Sequence, residues 1–250
     1  TWGITKRIAF RFSFLFFGLF IFIQNNGAYP LWVVLTKYVH DLLHIFIPWL
    51  AKHVYHVPYD ITVFTNGSGD TTYDYLIVLT ILIVAIIGIF IWSLADRRRK
   101  QYNTLYYWLT TAMRFYVGLM LINYGLAKVV KLQFPSPDFF RLTQTYGDSS
   151  PMGLAWTFLG FSKGYNFFMG FAELAAILLL FRRTMTVGAI ITLMTTSSVM
   201  AINYFYDVPV KILSTMLVVM TMFLLLNDAG VLIRFFFKGE KVSLPVIKVP

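Results

Sequence analysis

Residues 76–94 read LIVLTILIVAIIGIFIWSL, a run without one ionisable side chain. A spanning helix needs about 20 mostly apolar residues to cross a hydrocarbon core of roughly 30 Å, and this run supplies them. Inside lipid the backbone must satisfy its own hydrogen bonds, so the run reads as a helix. The surrounding composition agrees: 58% of the 250 residues are hydrophobic and 13% charged, with 25 Phe, 15 Tyr and 6 Trp. Soluble domains carry roughly 45–50% apolar and about 25% charged residues, so a soluble enzyme, a secreted disulfide scaffold and a disordered chain are excluded. The chain has no cysteine. That removes a CxxC relay, a cysteine-ligated iron–sulfur cluster and a thiolate nucleophile within this chain.

Working outward, five further runs read as spans: 8–23, which is Phe-rich and carries Arg11, then 107–130, 165–181, 185–206 and 208–226. The last two are separated by Asp207-Val208-Pro209, and Pro209 is expected in the first turn of a new helix. The expected fold class is therefore all-α, a polytopic membrane protein of six transmembrane helices. The stretch 31–50 also has helical length, but Lys37, His40, Asp41 and His44 recur on one stripe opposite Trp32, Leu35, Leu42, Leu43 and Phe46, with Pro48 breaking the last turn. That pattern describes an outer amphipathic helix lying in the interface, within residues 31–56.

Charge supports this choice. With both ends of the chain cytoplasmic, the inner segments hold Lys6, Arg7, Arg11, Arg97, Arg98, Arg99, Lys100, Arg182, Arg183, Arg234, Lys238, Lys241 and Lys248, most of the 21 basic residues. The positive-inside rule is met, and a seventh span at 31–50 would place the Arg97 to Lys100 cluster outside. The net charge of +10 is thus a topology signal, because the basic residues end apolar runs instead of lining one solvated face, and no nucleic-acid partner is implied. The run 8–23 lacks a small-residue cleavage site and is not a cleavable signal peptide. Three segments are expected: 1–100, two spans with the interfacial helix; 101–237, a four-helix core; and 238–250, a cytoplasmic tail. A chain that opens on Thr1 and closes on Lys248-Val249-Pro250 is expected to be part of a longer product.

Ionisable residues inside spans are functional suspects. Counted from the inner ends at 1.5 Å per residue, Arg114 lies about 10 Å deep and Glu173 about 13 Å deep, so the two are expected to form a buried charge pair. Arg114, Gly118, Gly125 and Lys128 share one helical face, as do Asn166, Gly170 and Glu173. Small residues on such faces permit close helix approach. Near the outer leaflet, Asn123, Tyr124, Lys128, Asn203, Tyr204, Asp207 and Lys211 are expected to converge as a ligand pocket. A pair such as Arg114 and Glu173 serves equally as a device that fixes helix register, and that alternative stays open.

All four histidines, His40, His44, His53 and His56, fall within a short stretch. Their spacing makes them weak metal candidates, since the HDLLH sequence lacks the glutamate of a zincin and an interfacial helix accounts for the same residues. The loop 59–75, YDITVFTNGSGDTTYDY, contains an NGSG turn signal, and Asp70, Thr71 and Thr72 read as the start of the second span.

Residues 107–237 resemble the DoxX-like membrane family: Arg114 followed by Gly118, Gly125 and Lys128, then Gly170 and Glu173, then the basic turn Arg182-Arg183 and two further helices. The stretches 59–75 and 146–153 (YGDSSPMG) are similar to longer DoxX-type proteins of Bacteroidetes-like bacteria, which carry two extra N-terminal helices. The resemblance implies a four-helix membrane core in a bacterial inner (cytoplasmic) membrane. The family includes the small subunit of thiosulfate:quinone oxidoreductase and proteins tied to oxidative stress. The function so implied is an accessory subunit of a larger membrane assembly, holding a lipid or quinone headgroup in its core, with membrane lipids and other membrane or periplasmic proteins as partners. Two alternatives stand beside it: a redox subunit passing electrons from an outer-face donor to quinone, and a proton-coupled small-solute transporter using Glu173. The absence of cysteine leaves thiosulfate chemistry without a thiol in this chain.

Overall fold

The computed structural model describes residues 2–63 and 69–243, and within them the chain is helical, with no strand. The helices are α1 (Ile4–Ile23), α2 (Trp32–His53), α3 (Thr72–Ala95), α4 (Asn103–Val129), α5 (Phe139–Thr143), α6 (Pro151–Phe161), α7 (Lys163–Leu174), α8 (Met185–Phe205), α9 (Lys211–Leu226) and α10 (Ala229–Lys238). Short 3₁₀ turns cover Tyr146–Asp148 and Ala175–Leu180. Three segments among the described residues are long and apolar enough to cross a membrane: α3, α7 continued through its 3₁₀ end to Leu180, and α8. A fourth is added when α9 and α10, bent by 80°, count as one. Helices α1 and α4 have the length but fall outside this set, α1 for Lys6, Arg7 and Arg11, and α4 for Arg114, Asn123 and Lys128 among its apolar residues. Most of the NGSG signal and of the 238–250 tail lies outside the described residues.

The chain divides into two compact units, one running to Tyr116 and the other starting at Val117, so the boundary falls inside α4. In the first unit, α1 packs on α3, with Leu15 against Gly88 and Phe14 edge-on to Trp92, and Ile77, Ile81 and Ala85 are buried on α3. The start of α3 follows from local sequence. Thr71 is its N-cap, and a reciprocal bond pair with Asp74 closes a capping box, Thr71 N donating to Asp74 Oδ2 at 2.9 Å. At the other end of the helix Arg11 is only 5% exposed. Its guanidinium donates to the Tyr102 hydroxyl (2.6 and 3.0 Å), to Ser93 Oγ (2.7 Å) and to the Asp96 carbonyl (2.9 Å). Tyr102 passes its own hydroxyl proton toward Asp96 Oδ2 at 3.1 Å. A buried charge is tolerable only when its donors are used, and four of the five N–H groups are.

Helix α2 runs unbroken through Pro48, past the break expected there. Its stripes divide three ways. Thr36, His40, His44, Ile47 and Ala51 fall on the side nearest α1 and α3. Lys37, Asp41 and Lys52 are exposed on an adjoining side, and Leu35, Tyr38, Leu42, Ile45, Phe46 and Trp49 are exposed on the third. The apolar set expected on a single face is therefore split, with Trp32 and Leu43 half-buried. The loop before α2 is pinned by Tyr29, whose hydroxyl donates to the Ala112 carbonyl at 2.6 Å and whose pKa burial pushes up to about 12.

In the second unit, α8 packs on α9 and on the 3₁₀ end of α7. The N-terminal part of the last span differs from expectation. Helix α9 begins at Lys211, with Val210 as N-cap, so Pro209 lies in the turn and not in the helix. The reason is that the backbone of 208–210 is used elsewhere: Val210 N donates to Val208 O, and Asn203 Nδ2 donates to Val210 O.

Candidate functional site

Two buried charges of the second unit meet at the crossing of α4 and α7. Lys128 Nζ donates to Glu173 Oε1 at 2.8 Å and to Oε2 at 2.7 Å, and the two residues are 4% and 2% exposed. Two glycines make this contact reachable. A Cβ on Gly125 would stand 2.8 Å from the Gly170 carbonyl oxygen, and one on Gly170 would stand 2.6 Å from Val129 Cγ2, so only glycine admits this backbone approach. Further along α4, Gly118 meets Ala176 and Leu180, which sets an antiparallel register. Side chains lean toward the N-terminus of their own helix. In antiparallel helices those leans oppose, which carries Lys128 and Glu173 toward each other. The lysine ammonium also lies 5.6 Å from the ring centroids of Tyr124 and Phe134. Asn166, on the Glu173 face, donates to the Leu159 and Ser162 carbonyls, while its Oδ1 is buried without a hydrogen-bond partner.

The residues of the expected outer pocket lie on α4, on α8 and in the turn that leads to α9, whose first residue is Lys211. Lys128 and Tyr124 belong to the buried pair just described, and Asn123 is exposed on α4. Asn203, Tyr204, Asp207 and Lys211 build the α8–α9 turn. Asn203 Nδ2 holds Val210 O at 3.1 Å, Tyr204 Oη is 2.9 Å from Thr215 Oγ1, and Lys211 forms an ion pair with Asp207, a residue in left-handed backbone conformation.

Arg114 is buried on α4. On Glu173, the carboxylate expected to pair with Arg114, Lys128 donates to both oxygens. Among the described residues no three His, Asp or Glu side chains gather as a metal-ligand set. His40 and His44 have ring centroids 6.5 Å apart, His44 packs edge-on to Tyr73, His53 stacks on Trp49, and His56 lies in the turn after α2.

No family model matches the chain, and no solved structure matches it. Over 118 residues it is 41% identical to a Bacillus subtilis (strain 168) protein named "Uncharacterized protein YwoB", an alignment covering 46% of this chain and 73% of that protein. The chain belongs to the YwoB family. That name carries no activity, and the chemistry of this YwoB-family chain rests on its own residues.

Three polar constellations of this YwoB-family chain were not expected from sequence. One is the Lys128–Glu173 pairing itself, with Phe134 beside it. The second is the Arg11, Ser93, Asp96 and Tyr102 cluster, whose signal was an arginine early in a Phe-rich helix. The third is Asp228, fully buried at the α9–α10 bend, where Thr186 Oγ1 donates to Oδ2 and Asn227 Nδ2 to Oδ1. Its signal was the Asn227-Asp228-Ala229-Gly230 break after an apolar run.

Proposed function

We propose that the chain is a six-span, DoxX-like protein of a bacterial inner membrane, acting as an accessory subunit whose four-helix core holds a lipid or quinone headgroup above the Lys128–Glu173 pair. The observation that carries this reading is a lysine–glutamate pair buried at a crossing of glycines and flanked by two aromatic rings. The ammonium spends two of its three N–H groups on the carboxylate. A headgroup carbonyl or phosphate oxygen entering beside Tyr124 would take the third, and a flat quinone ring suits the aromatic walls.

Further support comes from the membrane-facing features. In this reading α1 and α4 complete the six spans, with Arg11, Arg114 and Lys128 turned inward, as costly intramembrane charges must be. Helix α2, with separate protein, polar and apolar sides, lies in the interface. Both ends of the chain are cytoplasmic.

Gentle purification, followed by identification of the proteins and lipophilic molecules that stay bound, tests the proposal. A stoichiometric membrane or periplasmic partner and a retained quinone or lipid, lost in Lys128→Met with Glu173→Gln, is the expected result. A ligand-free, fully active monomer unaffected by that double replacement would overturn it and leave the pair as a register device.

A further inference from the structure

A second polar site lies in the first unit, at the end where α1 begins and α3 finishes. Trp2, Arg7, Arg97, Arg98 and Lys100 line an open hollow of about 680 Å³. None of these lining residues is acidic. The adjacent acid, Asp96, receives the Tyr102 hydroxyl on Oδ2, so it is engaged with the Arg11 cluster. Two hydrogen bonds tie its sides together: Trp2 N donates to the Lys100 carbonyl at 3.0 Å, and the Arg7 side chain, through Nη1, to the Arg99 carbonyl at 3.1 Å. Arg7 Nε is buried and has no hydrogen-bond partner in the structure. Lys6 rests 4.8 Å from the Trp2 ring.

Four cations around one hollow repel one another, and a buried guanidinium N–H without an acceptor carries a desolvation cost. Both terms are relieved by an anion that offers several acceptor oxygens, and guanidinium forks match the tetrahedral oxygens of phosphate. A tryptophan at the rim suits the headgroup level of a bilayer, where amphipathic rings concentrate. We infer that this hollow binds the phosphate of an acidic phospholipid headgroup, at a site separate from the Lys128–Glu173 pair. The basic residues after α3 then do more than orient the chain: they hold a particular lipid.

The test uses the full chain in nanodiscs of phosphatidylcholine with and without phosphatidylglycerol, reading retained lipid by native mass spectrometry and Trp2 emission against a Trp2→Phe control. Arg7→Lys with Arg97→Lys keeps every charge, and so keeps topology, but removes the forked donors. The expected result is preferential phosphatidylglycerol retention that falls about tenfold in this variant, while Arg183→Lys with Arg234→Lys, outside the hollow, leaves it unchanged. Equal loss in both variants, or no loss in either, would show general surface attraction and overturn the site. Displacement of the lipid by millimolar inorganic phosphate would assign the hollow to a free anion and overturn the lipid assignment.

Discussion

At the scale of single residues, the Lys128–Glu173 pair is an asset only while it is whole. Taking two charges out of water costs several kcal/mol each, and the pair recovers this through mutual attraction. Removing one partner leaves the other buried and uncompensated. Lys128→Met or Glu173→Gln alone should therefore cost about 3–5 kcal/mol, read as a lowered midpoint of unfolding in detergent, while the double replacement should recover most of the loss. If each single replacement were neutral, the pair would not be buried as described. Tyr102 makes a second, independent case. Its hydroxyl accepts from Arg11 and donates to Asp96, so Tyr102→Phe should cost about 1–3 kcal/mol, measured in the same way. The two sites also show what a sequence can and cannot yield. Arg11, Lys128 and Glu173 are conspicuous as charges in apolar runs. Which charge meets which depends on a register set by Gly125, Gly170 and Gly118, residues far apart in the chain. Rise per residue gives the depth of Glu173, whereas its contact with Lys128 depends also on the lean of the side chains.

At the scale of elements, the crossing of α4 and α7 sets a strict size limit. Gly125→Ala would put a methyl carbon against the Gly170 carbonyl, a rigid backbone atom, and overpacking of this kind costs about 1–3 kcal/mol. Gly230→Ala in α10, where an added Cβ meets nothing within 4 Å, should be neutral or slightly stabilising. A comparison of the two variants by thermal unfolding checks both statements, and equal effects would contradict the close approach. Helix α2 carries a pH dependence. Burial holds the His40 imidazole below its ordinary 6.5; His44 lowers it further, and Asp41 opposes both. The unfolded segment then binds a proton more readily than the packed one as pH falls below 6.5. Packing of α2 on α1 and α3 should be complete above that pH and weaken beneath it, seen as a change in Trp49 emission that His40→Gln removes. The start of α3 was legible in the sequence because its signals, Asp70, Thr71 and Thr72, are local, and Thr71 is the N-cap. The 80° bend into α10 was not, because it is held by Asp228 reaching Thr186 in another helix.

At the scale of the whole molecule, helicity and membrane character follow from composition, whereas the number of spans is a question of which helices tolerate their charges. The absence of cysteine makes the chain a ready background for single-cysteine labelling. In the six-span reading, a cysteine replacing Arg98 or Arg183 should react with an impermeant maleimide only from the inner side, and one replacing Lys52 or Ser149 only from the outer side. Reaction of positions 52 and 98 from the same side would remove α3 as a span.

The bend between α9 and α10 has a mechanical meaning. At 1.5 Å per residue the 16 residues of α9 reach about 24 Å, short of a hydrocarbon core of roughly 30 Å. A short shaft could slip along its own axis, but α10 stands across its end with Ile233, Phe235, Phe236 and Phe237 exposed. In the six-span reading the arrangement works as a rivet, with α10 as the flange. Pulling the chain out from its C-terminal side under force should peel α10 first, at low load, and release α9 in a distinct later step.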